Sequence, residues 1–222
     1  MKKPISVVYL TGGLLLVASL YFLFCFSTNA LTEFLRVNKP IPDAEVLIVE
    51  GWISGKFDEA AVKEEFQKGS YKYILISDFA DEDSEFDGKT ITEDDTSRSA
   101  SFASKLIQMG IDSSKIKIVE KSNSIKIHKT FAMAQAAGKW LKNNDPSIRR
   151  VNVCTVWSHG RKTWCAFQKI LDDTFSVGII TFPKETLPVN KWWTTRSGFR
   201  WQVWSFANYL YAMLWPVSLL PD

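Results

Sequence analysis

The hydrophobic pattern divides the chain into three stretches of different character. The first is unbroken: from Ile5 to Phe26 the 22 residues ISVVYLTGGLLLVASLYFLFCF carry no charge. An α-helix of about 20 apolar residues crosses the hydrocarbon core of a bilayer. The run also exceeds the roughly 7–15-residue apolar region of a signal peptide. Residues 1–30 are therefore expected to be an uncleaved transmembrane anchor, although Thr28-Asn29-Ala30 also offers a cleavage sequence. Gly12-Gly13 is compatible with this reading, because glycine is common in membrane helices.

The second stretch alternates short apolar runs with helical periodicity. Pro40 and Pro42 mark a stiff linker over residues 31–42. Ala44–Val49, Tyr73–Ile76, Lys115–Val119, Val151–Val156 and Phe175–Phe182 read as five strands of the buried type. Between them Phe57–Lys68, Thr96–Met109, Ile125–Asn143 and Lys162–Leu171 keep a helical rhythm, with Gly69 and Gly110 ending the first two. Strands alternating with helices of this length predict an α/β, Rossmann-like three-layer domain over residues 43–185, built on a mostly parallel five-stranded sheet.

The third stretch, residues 186–222, is aromatic. From Lys191 it reads KWWTTRSGFRWQVWSFANYLYAMLWPVSLLP and holds five of the nine tryptophans. Ser197–Trp215 is expected to be a helix, with Ser197 as its cap. It either packs on the sheet like any other helix or also rests its aromatics on the bilayer beside the anchor. Arg196 and Arg200 leave too few apolar residues before Pro216 for a second span.

Charge adds orientation. Lys2 and Lys3 flank the apolar run on one side; Arg36 and Lys39, offset by Glu33, flank it on the other. The positive-inside rule leans towards an inside amino terminus, which puts the domain outside the cytoplasm, in the periplasm of a Gram-negative cell. The net charge is +3, with 27 basic and 24 acidic side chains. No basic footprint of a nucleic-acid binder is present. Cys25 lies in the anchor, Cys154 in a strand and Cys165 on a helix; the last two read as buried thiols, and spacing alone does not settle whether they pair. With only His128 and His159, no zinc-type cluster exists.

In an open parallel sheet, ligands bind beyond the carboxyl ends of the strands. The residues that follow the strands are Glu50-Gly51-Trp52, Ser77-Asp78, the segment from Glu120 to Asn123, and Ser158-His159-Gly160-Arg161. These are the candidate ligand-binding residues, with Thr130 on the following helix as a donor to an anion. Arg161 offers a rigid fork for phosphate or carboxylate. His159 is a candidate acid or base, and Glu50 a base or an orienter of a ribose hydroxyl. Equally, Glu50 can cap a helix or pair with Arg161, and His159 can be an ordinary surface residue. No dinucleotide fingerprint, P-loop or nucleophile elbow occurs. Asp83-Ser-Glu85-Phe-Asp87-Gly88 begins like a calcium loop, but its twelfth position is Asp94, and a solvated acidic loop is the expectation.

Asp43-Ala44 leading into Val46–Gly51, together with Thr155-Val-Trp-Ser-His159-Gly-Arg161, resembles the SanA/ElyC/YdcF family, a bacterial domain of unknown function linked to the cell envelope. The resemblance covers roughly Pro42 to Phe182, and Glu50-Gly51-Trp52 and Trp192-Trp193 resemble its membrane-anchored subgroup. It implies a Rossmann-like fold, a strand-end pocket and a role in envelope integrity or peptidoglycan-related processes. His159 and Arg161 match the family's His-x-Arg, and Ser77 the serine of its Ser-Gly-Gly turn. That turn here reads Ser77-Asp78-Phe79, and the family's Thr-x-Glu-Asn is reduced to Thr130-Phe-Ala-Met133. S-adenosylmethionine is implied as a ligand by one branch of the family only. Three functions are thus expected to compete: binding of a small anionic or nucleotide-like ligand, catalysis on a phosphorylated or lipid-linked envelope precursor, and a scaffold using the aromatic tail.

Overall fold

Five runs of aliphatic residues become strands, and all five pair in parallel. The computed structural model describes residues 5–51, 59–78, 98–120, 129–183 and 191–216. The strands are β1 (Val46–Glu50), β2 (Tyr73–Asp78), β3 (Ile116–Glu120), β4 (Arg150–Val156) and β5 (Ser176–Phe182). Their order across the sheet is β3-β2-β1-β4-β5, so the direction of winding reverses between β1 and β4. The helices are α1 (Ile5–Leu35), α2 (Glu59–Lys68), α3 (Arg98–Gln108), α4 (Lys129–Asn144), α5 (Gly160–Ile170) and α6 (Arg196–Leu214).

Strand alternation sorts the core into two layers. Leu47, Val49, Ile74, Ile76, Cys154 and Val156 face α2 and α3, where Val62, Phe66, Phe102 and Leu106 meet them. Val46, Ile48, Leu75, Val151, Val153 and Ile179 face α4 and α5, against Ala134, Ala137, Leu141 and Phe167. Helices therefore cover both faces, which is why β1 and β4 read as near-continuous hydrophobic runs rather than alternating ones.

α1 is a single helix of 31 residues, about 46 Å at 1.5 Å per residue. It is the one helix among the described residues long and apolar enough to cross a membrane. Leu14 to Val17, Leu20, Tyr21, Leu23, Phe24 and Phe26 are exposed, whereas Thr28, Thr32 and Leu35 at its far end are buried against the domain. The segment after it is fastened to the sheet. Lys39 exchanges both backbone hydrogen bonds with Ile179, at 2.8 and 3.0 Å. Asn152 holds Ile41 like a facing peptide unit: its Oδ1 accepts from the Ile41 N–H at 2.8 Å and its Nδ2 donates to the Ile41 carbonyl at 3.0 Å. The expected stiff linker is thus a strap along β5, and it covers a sheet edge that would otherwise offer unpaired backbone groups.

α6 is capped two residues earlier than expected. The side chain of Thr195, not Ser197, accepts from the Gly198 N–H at 3.1 Å. Only Thr195 has the extended backbone that aims a cap oxygen at the helix's own first N–H groups.

Candidate functional site

The apolar layer facing α4 and α5 gives way to a polar row at the carboxyl ends of the strands. Leu75, Ile48, Val153 and Ile179 form the last apolar rank of that layer. Two residues further on, the same face presents Ser77, Glu50, Thr155 and Thr181, one from each of β2, β1, β4 and β5. Register brings them side by side, with Glu50 opposite Ser77 and Thr155 opposite Thr181. Ser77, Glu50 and Thr155 are fully buried.

Glu50 is the centre of this row, at the point where the strand order reverses. Thr155 donates to its Oε2 at 2.5 Å. Thr163 of α5, also fully buried, lies 3.3 and 3.2 Å from its two carboxylate oxygens. A buried carboxylate without such donors is strongly unfavourable. Two hydroxyls from two different elements therefore fix both its presence and its orientation. Ser77 donates to the Met133 carbonyl of α4 at 3.0 Å, which ties β2 to the helix carrying Thr130 and Lys129. Thr130 is buried on the first described turn of that helix.

Lys162 completes the cluster. Burial of its amine lowers its pKa from 10.5 to about 8; the charge of Glu50 acts the other way, and that of Lys129 adds to the lowering. Lys162 precedes Thr163 in α5, within reach of the Glu50 charge, and its amine holds its proton less firmly than an ordinary lysine. Such groups concentrate where proteins bind or transform ligands.

The turn from β4 into α5 is strained. Trp157 has φ of 40°, a conformation costly for a bulky residue, and is completely buried. It sits in the short 3-10 turn Trp157–His159, which swings the chain back over the sheet into α5. Ser158, predicted as a ligand residue, is buried in this turn and donates to the Ser205 hydroxyl of α6 at 3.1 Å. His159 is half-buried and occupies the N-cap position of α5 without capping it through its side chain.

Arg161 goes elsewhere. Its Nε donates to the Phe34 carbonyl, and its guanidinium carbon lies 3.9 Å from the centre of the Phe34 ring. It therefore satisfies one of the orphan carbonyls at the end of α1. Beside it opens a cleft of about 430 Å³ lined by Glu33, Arg36, Val37, Asn38, Lys39 and Arg161. The predicted convergence of Arg161 with Glu50 is replaced by two sites, a polar row under α5 and a basic cleft at the end of α1.

Gly51 is buried directly after β1. Asp78 ends β2. Trp52, Asn123 and the acidic loop after Asp78 lie outside the described residues. Among the described residues no three histidine, cysteine or acidic side chains come together as a metal site. Cys154 and Cys165 are both free thiols. Cys154 is buried as expected and Cys165 only half-buried; burial raises the pKa of each, with the Lys169 charge opposing it at Cys165.

Thr163 and Lys162 were absent from the candidate residues, and Thr155 was quoted only as part of a motif. One signal was available: residues alternate along a strand, so a polar residue two positions beyond a core residue stays on the core's face. A comparison with family models and with curated proteins finds no match to this chain.

Proposed function

We propose that this chain is a single-pass membrane protein of the bacterial envelope whose domain binds a small anionic or nucleotide-like ligand at the carboxyl edge of its sheet. The observation that carries the reading is the buried Glu50 carboxylate, held by Thr155 and Thr163 at the reversal of strand order, with the charge of Lys162 within reach. Lys162 and Lys129 would supply the attraction for an anion. Glu50 suits a ligand that also offers hydroxyls. α1 supports the membrane part of the reading. The positive-inside rule supports an extracytoplasmic domain, and the resemblance to the SanA/ElyC/YdcF family supports an envelope role. S-adenosylmethionine enters as a test ligand on that resemblance alone.

One observation favours a second reading, an enzyme acting on a phosphorylated or lipid-linked envelope precursor. An amine with a pKa of about 8 exchanges its proton close to physiological pH. In this reading Lys162 takes the phosphate-facing role first assigned to Arg161, with Glu50 as orienter and His159 as candidate acid or base.

The test is ligand-induced thermal stabilisation of the full-length protein in detergent. The panel holds nucleotides, S-adenosylmethionine, sugar phosphates and an undecaprenyl-phosphate analogue. A ligand at about 100 times its dissociation constant adds roughly 2.7 kcal/mol of stability. A hit lost in both Glu50→Gln and Lys162→Met supports the reading. No stabilisation by any member, or a hit that survives both substitutions, sinks it. Turnover of a hit, lost in Lys162→Met, would favour the enzyme.

A further inference from the structure

α6 is inside out. Its buried residues are Gly198, Gln202, Ser205 and Ala212, small or polar side chains that recur on one face. Its exposed arc carries Phe199, Val203, Trp204, Phe206, Met213 and Leu214, with Leu214 75% and Trp204 58% exposed. A helix of a water-soluble domain shows the opposite arrangement. Helices that pack in lipid bring small residues to the protein interface and turn apolar ones outward.

The apolar face continues onto α1. Gln202 Nε2 lies 3.4 Å from Thr32 Oγ1, and the Tyr209 ring meets Phe34 edge-on at 5.4 Å. Trp193, just before α6, meets Phe24 of the apolar run at 5.7 Å. The charges of α6 are Arg196 and Arg200, both within its first five residues. The basic residues thus sit at one end of the helix and the apolar ones along the rest of it.

We infer that α6 is a second membrane contact: it lies in the bilayer interface beside α1, with its aromatic face in lipid and its basic first turn towards the headgroups. Interfacial helices combine an apolar face with basic residues in this way. The helix is docked from the protein side by Lys169 of α5, whose Nζ donates to the carbonyls of Ala212, Met213 and Trp215 at 2.8, 2.6 and 3.1 Å. In consequence the domain is held at the membrane surface through a face, not swung from α1 alone. The inference rests on α1 as a span, and the experiment separates the two claims.

Spin labels at Leu20→Cys, Val203→Cys, Leu214→Cys and Gln67→Cys, each in a Cys25→Ser/Cys154→Ala/Cys165→Ser background, are introduced into the full chain. The protein is reconstituted in vesicles of phosphatidylethanolamine and phosphatidylglycerol. Collisions with oxygen report lipid, and collisions with a water-soluble nickel chelate report solvent. Val203 and Leu214 are expected to follow Leu20 in favouring oxygen, while Gln67 on α2 favours nickel. Nickel access at Val203 and Leu214 with Leu20 still in lipid overturns the inference and leaves the span intact. Protection of both positions from both reagents also overturns it, and dipolar broadening would then show a second copy covering the face. Nickel access at Leu20 fells the span and the inference together.

Discussion

Arg161 grips Phe34 twice, donating from its Nε to the backbone carbonyl and laying its guanidinium 3.9 Å from the ring centre. The contact joins the last turn of α1 to the first turn of α5. It makes the docking of α1 part of the domain's own structure. A double-mutant cycle between Arg161→Ala and Phe34→Ala is expected to show coupling of about 1 kcal/mol, given typical cation–π energies at partly exposed sites. Thermal melts of the four proteins measure it; additive losses would mean the two side chains are neighbours without interacting.

Gly160 sits one residue before this contact, under the end of α1. A Cβ there would lie 2.3 Å from Thr181 Cγ2 and 3.2 and 3.3 Å from the carbonyls of Val37 and Leu35. Gly160→Ala should therefore lower stability by about 1–3 kcal/mol through overpacking. Thr181→Ser removes the nearest methyl and should recover part of that loss. Denaturant midpoints of the single and double variants decide the point, and a neutral Gly160→Ala would mean that α1 is not seated on α5.

Lys169 gathers three carbonyls at the far end of α6. The last carbonyls of a helix have no partner of their own and carry the negative end of its dipole. Lys169→Met keeps the length of the side chain but loses the donors, so α6 should fray from Trp215 backwards. Hydrogen exchange of the backbone amides of residues 209–214 should accelerate while that of β4 does not. Unchanged exchange in α6 would contradict the role.

The pH dependence of stability isolates Lys162. Its folded pKa of about 8 lies below the ordinary 10.5. Between these values the unfolded chain binds a proton that the folded protein has released, so this group makes stability rise with pH. Below about 8 both states are protonated and burial of the charge opposes folding in full. The melting temperature of the wild type relative to Lys162→Met should therefore climb from pH 8 to pH 10 and be flat from pH 6 to 7. A flat difference over the upper range would place the amine in water, and a falling one would mean that an anion holds its proton on.

The sheet was legible because parallel strands covered on both faces must be apolar throughout. Ala44–Val49 and Val151–Val156 announce themselves that way, and all five strands lie within two residues of their expected bounds at either end. Glu50 and Ser77 were legible from their places after β1 and β2. Lys162 and Thr163 were not, and the reason is angular. The helix was expected to begin at Lys162 and begins at Gly160. Two residues are about 200° of rotation, enough to exchange the residue facing the sheet for the one facing away. Arg161 was assigned to the strand-end pocket because nothing local to it reveals that α1, well over a hundred residues earlier, returns to meet it. The expected cap Ser197 failed for a smaller reason: the run Thr194-Thr195-Arg196-Ser197 offers three hydroxyls, and only the backbone decides among them.

Binding affinity at the polar row tests the account most directly. For whichever ligand stabilises the full-length protein most, isothermal titration with the wild type, Lys162→Met and Arg161→Ala separates the row from the cleft beside α1. The account predicts that Lys162→Met weakens binding by at least about tenfold, a loss of roughly 1.4 kcal/mol, while Arg161→Ala leaves it nearly unchanged. The reverse pattern, with binding lost in Arg161→Ala and kept in Lys162→Met, would contradict it and move the ligand to the cleft lined by Arg36, Lys39 and Arg161.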